Sequence, residues 1–235
     1  MNAHLEGKVA IVFGAGGPPG DISNGCAAAV AYARAGADVT STDEVTRAVE
    51  VGIARFGHLD ILHNNVGIAP AGSPLELDDG AFQQLMDINV GSVHRTVRAV
   101  LPHFLSRRAG AIVNVSSLAA IRWTGYSYFS YYASKAAVNQ ATVAIALQYA
   151  DQGIRANVIM PGVIDTPLVY KQIASQYSST EEMKQARSQA VPMRRTGSPW
   201  DIAGAAVFLA SEEAGFITGV CLPVDGGHSC VLPGL

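Results

Sequence analysis

Short runs of β-branched and apolar residues recur at 8–13, 37–41, 59–63, 111–116, 155–160 and 218–224. Several are apolar at nearly every position, the pattern of parallel strands covered on both faces. Longer stretches of helical period lie between them. Val45, Ala48, Val49, Gly52, Ile53 and Phe56 recur at helical spacing, as do Ile202, Ala205, Ala206 and Leu209, and each set predicts a helix with one apolar side. Ser198-Pro199-Trp200-Asp201 places a capping serine before a proline at the first helical position, so the second of these helices is predicted over 199–210. An apolar helix is expected over 82–104. Another, at about 130–150, carries so little polar surface that burial against both the sheet and another subunit is expected. Strands and helices alternating in this way predict an α/β chain with a doubly wound parallel sheet of about six strands.

The chain has 235 residues, 49% of them hydrophobic and 15% charged, enough apolar material for one core and too much for a disordered chain. No linker or repeat divides it, so 1–235 is expected to be a single domain. Its least regular stretch, 166–197, holds Ser175, Ser178, Ser179 and Thr180 and is expected to be a lid over a site. The net charge of −3, with no block of Lys or Arg, argues against nucleic acid as a partner. Cys26, Cys221 and Cys230 lack C-x-x-C spacing and no apolar run reaches membrane-spanning length, so reduced thiols in a cytoplasmic protein, away from membranes, are expected. The six histidines form no H-x-x-x-H or His/Cys cluster, and no metal site is expected. Gly125-Tyr126-Ser127-Tyr128-Phe129 falls short of a G-x-S-x-G elbow, which argues against a serine hydrolase.

Two features carry chemistry. After the first strand, Gly14, Gly16, Gly17 and Gly20 lead through Asn24 and Gly25 into an Ala-rich stretch. Glycines there let the backbone approach a pyrophosphate at a helix N-terminus, although a plain Gly/Pro connection has equal claim on this evidence alone. Tyr131 and Lys135 stand one helical turn apart, so the ammonium can lie near the phenol. Bringing a phenol from its ordinary pKa near 10 to neutrality takes about 3 units, which a neighbouring cation and an oxidised nicotinamide could supply together. Ser117 ends the strand before them, and Asn64-Asn65-Val66-Gly67 ends the one before that. Both lie at the edge where open α/β sheets hold ligands. Asn89 is a lone polar residue in an apolar helix and has an alternative use in satisfying backbone groups.

The ordered set of Gly14 to Gly25, Asn64-Asn65-x-Gly67, Asn89, Ser116-Ser117, Tyr131-x-x-x-Lys135, Pro161-Gly162-Val163-Ile164-Asp165-Thr166-Pro167 and Val224-Asp225-Gly226-Gly227 resembles the short-chain dehydrogenase/reductase family across nearly the whole chain. The resemblance implies a Rossmann-like fold. It also implies an NAD(P)-dependent oxidoreductase interconverting a secondary alcohol and its ketone. By the same resemblance Tyr131 is the general acid/base, Ser117 orients the substrate oxygen, Lys135 holds the nicotinamide ribose, and Asn89 supports a water in a proton relay. Asn65 and Gly67 would flank the adenosine ribose, while Pro161, Gly162, Val163, Ile164 and Thr166 would line the carboxamide end. A homodimer or homotetramer built on helices 80–105 and 130–150 is implied as well.

The sequence also departs from that family. Ala35-Gly36-Ala37 runs directly into Asp38-Val39, so one strand-helix unit is expected to be missing beside the adenosine site. Asp38 and Val39 are then candidates to contact the adenosine, with either Asp38 or Asp43 able to reach the ribose 2'-hydroxyl, although capping of the next helix explains both aspartates equally well. With no Lys or Arg between 35 and 46 to hold a 2'-phosphate, NAD is favoured over NADP. The aromatic stretch Arg122 to Phe129 suggests a hydrophobic or cyclic substrate, with Arg122 a candidate for a substrate carboxylate. Two other readings stay open: a non-catalytic dinucleotide sensor, motivated by the missing unit, and an epimerase or lyase on the same scaffold.

Overall fold

The computed structural model describes residues 5–15 and 38–231. Five strands, β1 (Ala10–Phe13), β2 (Ile61–Asn64), β3 (Gly110–Val115), β4 (Ile154–Pro161) and β5 (Cys221–Val224), form one parallel sheet in the order β1-β2-β3-β4-β5. The helices are α1 (Thr42–Phe56), α2 (Asp79–Met86), α3 (Ser92–Arg107), α4 (Phe129–Tyr149), α5 (Pro167–Ile173), α6 (Thr180–Ala190) and α7 (Pro199–Ala210).

The period-two alternation of the strands sorts the core into two layers. Ile11, Leu62, Ile112 and Ala156 stand side by side in register and face α1, α3 and α4, which contribute Val45, Val49, Val97, Phe104 and Val138. Their neighbours Ile61, Ala111 and Val113 face the other way, against Ile202, Ala206 and Leu209 of α7. Helices therefore cover both faces, as the nearly unbroken apolar strands require. Arg155 stands in this second row beside Ala111. It fits there because its guanidinium donates to the carbonyls of Leu209 and Ser211 at the C-terminus of α7 and to that of Ile217.

The helix starts follow the local chemistry. Ser41 caps α1 by accepting from the Glu44 amide, and Ser198 with Asp201 completes a capping box on α7. Residues 38–41 differ from the expected strand. The Asp38 carboxylate accepts from the Thr40 amide and hydroxyl at 2.9 and 2.8 Å, and the Ser41 amide donates to the Asp38 carbonyl. Short polar side chains that bond their own backbone favour a turn over a ladder. The sheet of the described residues therefore has five strands where the pattern predicts six. The expected helix over 82–104 is likewise interrupted by one π-helical turn, Asp87–Gly91, between α2 and α3.

Candidate active site

β2, β3 and β4 end together at one edge of the sheet, and a cavity of about 680 Å³ opens above them. Gly14, Asn65 and Gly67 line it from the ends of β1 and β2, Ser117 from the end of β3, and Tyr131 and Lys135 from the first turns of α4. Pro161, Gly162, Val163, Ile164 and Thr166 line it from the end of β4 and the segment after it, Val169 and Ile173 from α5, Tyr177 from the connection that follows, and Ala186, Arg187 and Ala190 from α6.

A ladder of buried side chains holds the floor. Asn64 donates to Asn114 at 2.9 Å and Asn114 donates to the Thr142 hydroxyl at 2.8 Å, which pins the ends of β2 and β3 to α4. The Asn89 amide accepts from the Ile68 N–H and donates to the Ile68 carbonyl and to the Ser134 hydroxyl, each at 2.9 Å. Asn89 is fully buried in the π-helical turn, a place where the regular ladder of helix hydrogen bonds is broken. Its side chain thus anchors the Asn65–Ile68 turn against α4. A Cβ on Gly67 would stand 3.0 Å from Lys135 Nζ and 3.6 Å from Asn89 Oδ1, so the three are close together.

Lys135 is 4% exposed, and its ammonium donates to the Val115 carbonyl at 3.0 Å. Burial holds its pKa down, at about 8. The ammonium carries three N–H donors, so one accepted bond leaves two directions at the cavity wall for ribose hydroxyls. A dinucleotide coenzyme fits this donor set. Lys135 Nζ lies 5.7 Å from the centre of the Tyr131 ring, and Ser117 lines the same wall of the cavity. Burial pushes the Tyr131 phenol above its ordinary value while the Ser117 hydroxyl opposes it. The phenol is therefore protonated in the protein by itself, and the effect expected of Lys135 does not outweigh burial.

Of the other expected site residues, Asp38 and Val39 lie outside the cavity lining. Asp38 is exposed in its turn, and the Val39 carbonyl accepts from Arg95 at 3.3 Å. Gly16, Gly20, Asn24 and Gly25 fall outside the described residues. The aromatic stretch divides. Thr124, Tyr126 and Tyr128 line the cavity, Trp123 stacks on Tyr132 with 5.2 Å between centroids, and Phe129 packs beside Phe82. Arg122 is spent elsewhere, donating from Nε to the Ser229 carbonyl and from Nη1 to its neighbour Ile121. Arg187, Tyr177 and His228 are lining residues that the motifs do not mark. Asn114 was detectable, as the one amide in the apolar run Ala111 to Val115.

Comparison with known proteins places this geometry. Residues 21–229 match the family described as enoyl-(acyl carrier protein) reductase. The chain is 35% identical over 251 residues to 2-keto-3-deoxy-L-fuconate dehydrogenase of Xanthomonas campestris pv. campestris, covering 97% of this chain and 82% of that protein. It superposes on a short-chain dehydrogenase/reductase of Burkholderia xenovorans with a TM-score of 0.91 at 34% identity, covering 97% of this chain and 99% of the other. A structure of ElxO with NADP bound gives a TM-score of 0.75 at 33% identity, over 83% of this chain and 77% of the other. With its motifs in order along the chain and their side chains gathered at one sheet edge, the chain belongs to the short-chain dehydrogenase/reductase family and is an oxidoreductase acting on hydroxyl groups.

Proposed function

We propose that the protein interconverts a secondary alcohol and its ketone, with Tyr131 as the general acid/base and a nicotinamide dinucleotide as the redox partner. The observation that carries this reading is the meeting of Ser117, Tyr131 and Lys135 on one cavity wall. The coenzyme supplies or accepts the hydride. Lys135 holds ribose hydroxyls, and its charge favours the phenolate over the phenol. Ser117 donates a hydrogen bond to the substrate oxygen, where negative charge develops. In reduction Tyr131 delivers a proton to that oxygen, and in oxidation it removes the hydroxyl proton. Asn89 acts by holding the Ile68 turn and the start of α4 in place, and a water ordered at its π-helical turn would link Lys135 to solvent.

Pro161 to Thr166 would border the nicotinamide, and Gly14, Asn65 and Gly67 the adenosine half. NAD is the proposed coenzyme, since no Lys or Arg occurs between 35 and 46 and the exposed Asp38 carboxylate is held below its usual range by the Thr40 amide. The segment 166–197, folded into α5 and α6 over the cavity, acts as the lid of a single 1–235 domain. Leu147 on the outer side of α4 is 74% exposed and suits a contact between copies in a dimer or tetramer.

The test is a panel of alcohols and ketones with NADH and NADPH, followed at 340 nm, for the wild type and Tyr131→Phe. Loss of general acid/base catalysis lowers kcat by roughly 100- to 10,000-fold, while coenzyme affinity stays within a few-fold. Undiminished turnover in Tyr131→Phe removes that residue from its role. Coenzyme binding without turnover of any alcohol or ketone favours the sensor reading.

A further inference from the structure

We propose that the substrate carries a carboxylate and that Arg187 of α6 binds it, at the end of a row of tyrosines that leads across the cavity from Tyr131. The proposal rests on the cavity being the substrate site, as argued above, and names the class of molecule it takes.

Arg187 lines the cavity and is half-buried. Its Nη2 donates to the Ile164 carbonyl at 3.2 Å, which fixes the guanidinium against the segment after β4. No carboxylate lies within ion-pairing distance of it among the described residues. Asp165, next to Ile164 in the chain, interacts instead with Tyr170, which Lys184 also approaches at 5.8 Å from the ring centre. A guanidinium has five N–H donors in a planar fork matched to a carboxylate, and one carbonyl uses only part of it. Partly withdrawn from water and without a counter-ion, such a group costs free energy that a bound anion would recover.

The surroundings support an anion. Tyr126 and Arg187 line the cavity together, close enough for the guanidinium to act on the phenol, and the Tyr126 hydroxyl is 3.5 Å from that of Tyr177. Burial together with Tyr177 pushes the Tyr126 phenol up to about 12, so it stays neutral and can donate. The Tyr126 and Tyr128 rings are 5.7 Å apart, and Tyr128 meets Tyr131 edge-on at 6.3 Å. This gives an aromatic wall between the proton donor and the guanidinium. Hydroxyl and carboxylate would thus be joined by an apolar, preferably cyclic, body lying along the rings. His228 also lines the cavity, and its Nδ1 is buried without a hydrogen-bond partner among the described residues.

The experiment measures binding and turnover separately. Calorimetric titration of the NADH-loaded enzyme, and of the enzyme alone, would compare 3-phenylpropanoate with 3-phenylpropanamide, and 4-hydroxycyclohexanecarboxylate with its carboxamide. Steady-state kcat/KM would be taken for the second pair. A charge-assisted hydrogen bond corresponds to roughly a 10- to 100-fold preference for the acid. The acid-to-amide ratio should fall towards one in Arg187→Met and recover in part in Arg187→Lys, chiefly through Kd and KM. A wild type that binds acid and amide alike, or neither, overturns the proposal, as does an unchanged ratio in a folded Arg187→Met. Absence of nicotinamide-dependent turnover alongside an Arg187-dependent preference for the acid would instead count against the oxidoreductase reading and leave the carboxylate site standing.

Discussion

His63 and Lys135 are both bases placed where charge is unwelcome, and both make the folded chain gain stability as pH rises, His63 on the acid side and Lys135 on the basic side. His63 sits on β2 between Val12 and Val113, fully buried, and its pKa is held down at about 4. It is neutral in the folded chain while an unfolded histidine still binds a proton up to about pH 6.5. Stability is thus fully present above the unfolded value and is lost as pH falls through the folded one. The expected loss between pH 6.5 and 4 is up to about 3 kcal/mol, read from urea melts, and His63→Leu should flatten that limb. An acid limb of equal steepness in the variant would assign it to other groups. For Lys135 the same reasoning makes the protein gain stability above about pH 8, since there the folded lysine sheds the proton that an unfolded one keeps.

Among the elements, α7 shows how far local rules reach. Its Ser198 hydroxyl accepts from the Asp201 amide while Asp201 accepts from the Ser198 amide and hydroxyl. Ser198→Ala should cost about 1 kcal/mol and lower Tm by a few degrees without altering coenzyme affinity. A loss several-fold larger would mean that the cap also holds the Gly197 connection. This helix and α1 were legible because capping residues and apolar period coincide within each, and α4 because of its long apolar run alone. The π-helical turn was not, because one extra residue between Asp87 and Gly91 leaves a run of apolar positions that still reads as a single helix. The stretch from Asp38 to Ser41 misled in another way. Val39 and Thr40 are β-branched, but bonds from Thr40 to the Asp38 carboxylate decide the backbone. Such competition is invisible to a pattern of apolar positions.

For the whole molecule, the candidate site is what the sheet edge gathers from distant parts of the chain. The gathering of Ser117, Tyr131 and Lys135 on one cavity wall was legible because they lie within one strand-helix unit. Arg187 and Tyr177 were not, because their place opposite Tyr126 depends on how α5 and α6 return over the cavity. The glycine turn shows the same dependence on tertiary approach. Gly14 has φ of +84° and a Cβ there would stand 2.6 Å from the Asn65 carbonyl carbon, so the ends of β1 and β2 touch through backbone alone. Gly14→Ala should force them apart. Expected are a stability loss of about 1–3 kcal/mol and a fall in NADH affinity larger than that in kcat, measured by fluorescence titration and steady-state kinetics. Unchanged affinity would remove this edge from the coenzyme site.

One pair of backbone contacts reaches further than its size suggests. Ile164 and Gly197 form a parallel bridge, with the Asp165 amide donating to the Gly197 carbonyl and the Gly197 amide to the Val163 carbonyl, at 2.8 and 2.9 Å. The chain leaves for α5 and comes back from α6 at the same spot. Beyond Thr166, the stretch between is therefore tied to the sheet at its two ends, so its side chains over the cavity could change while that bridge stays in place. A descendant of this protein could change what it recognises by rewriting that loop alone, and keep its redox machinery intact.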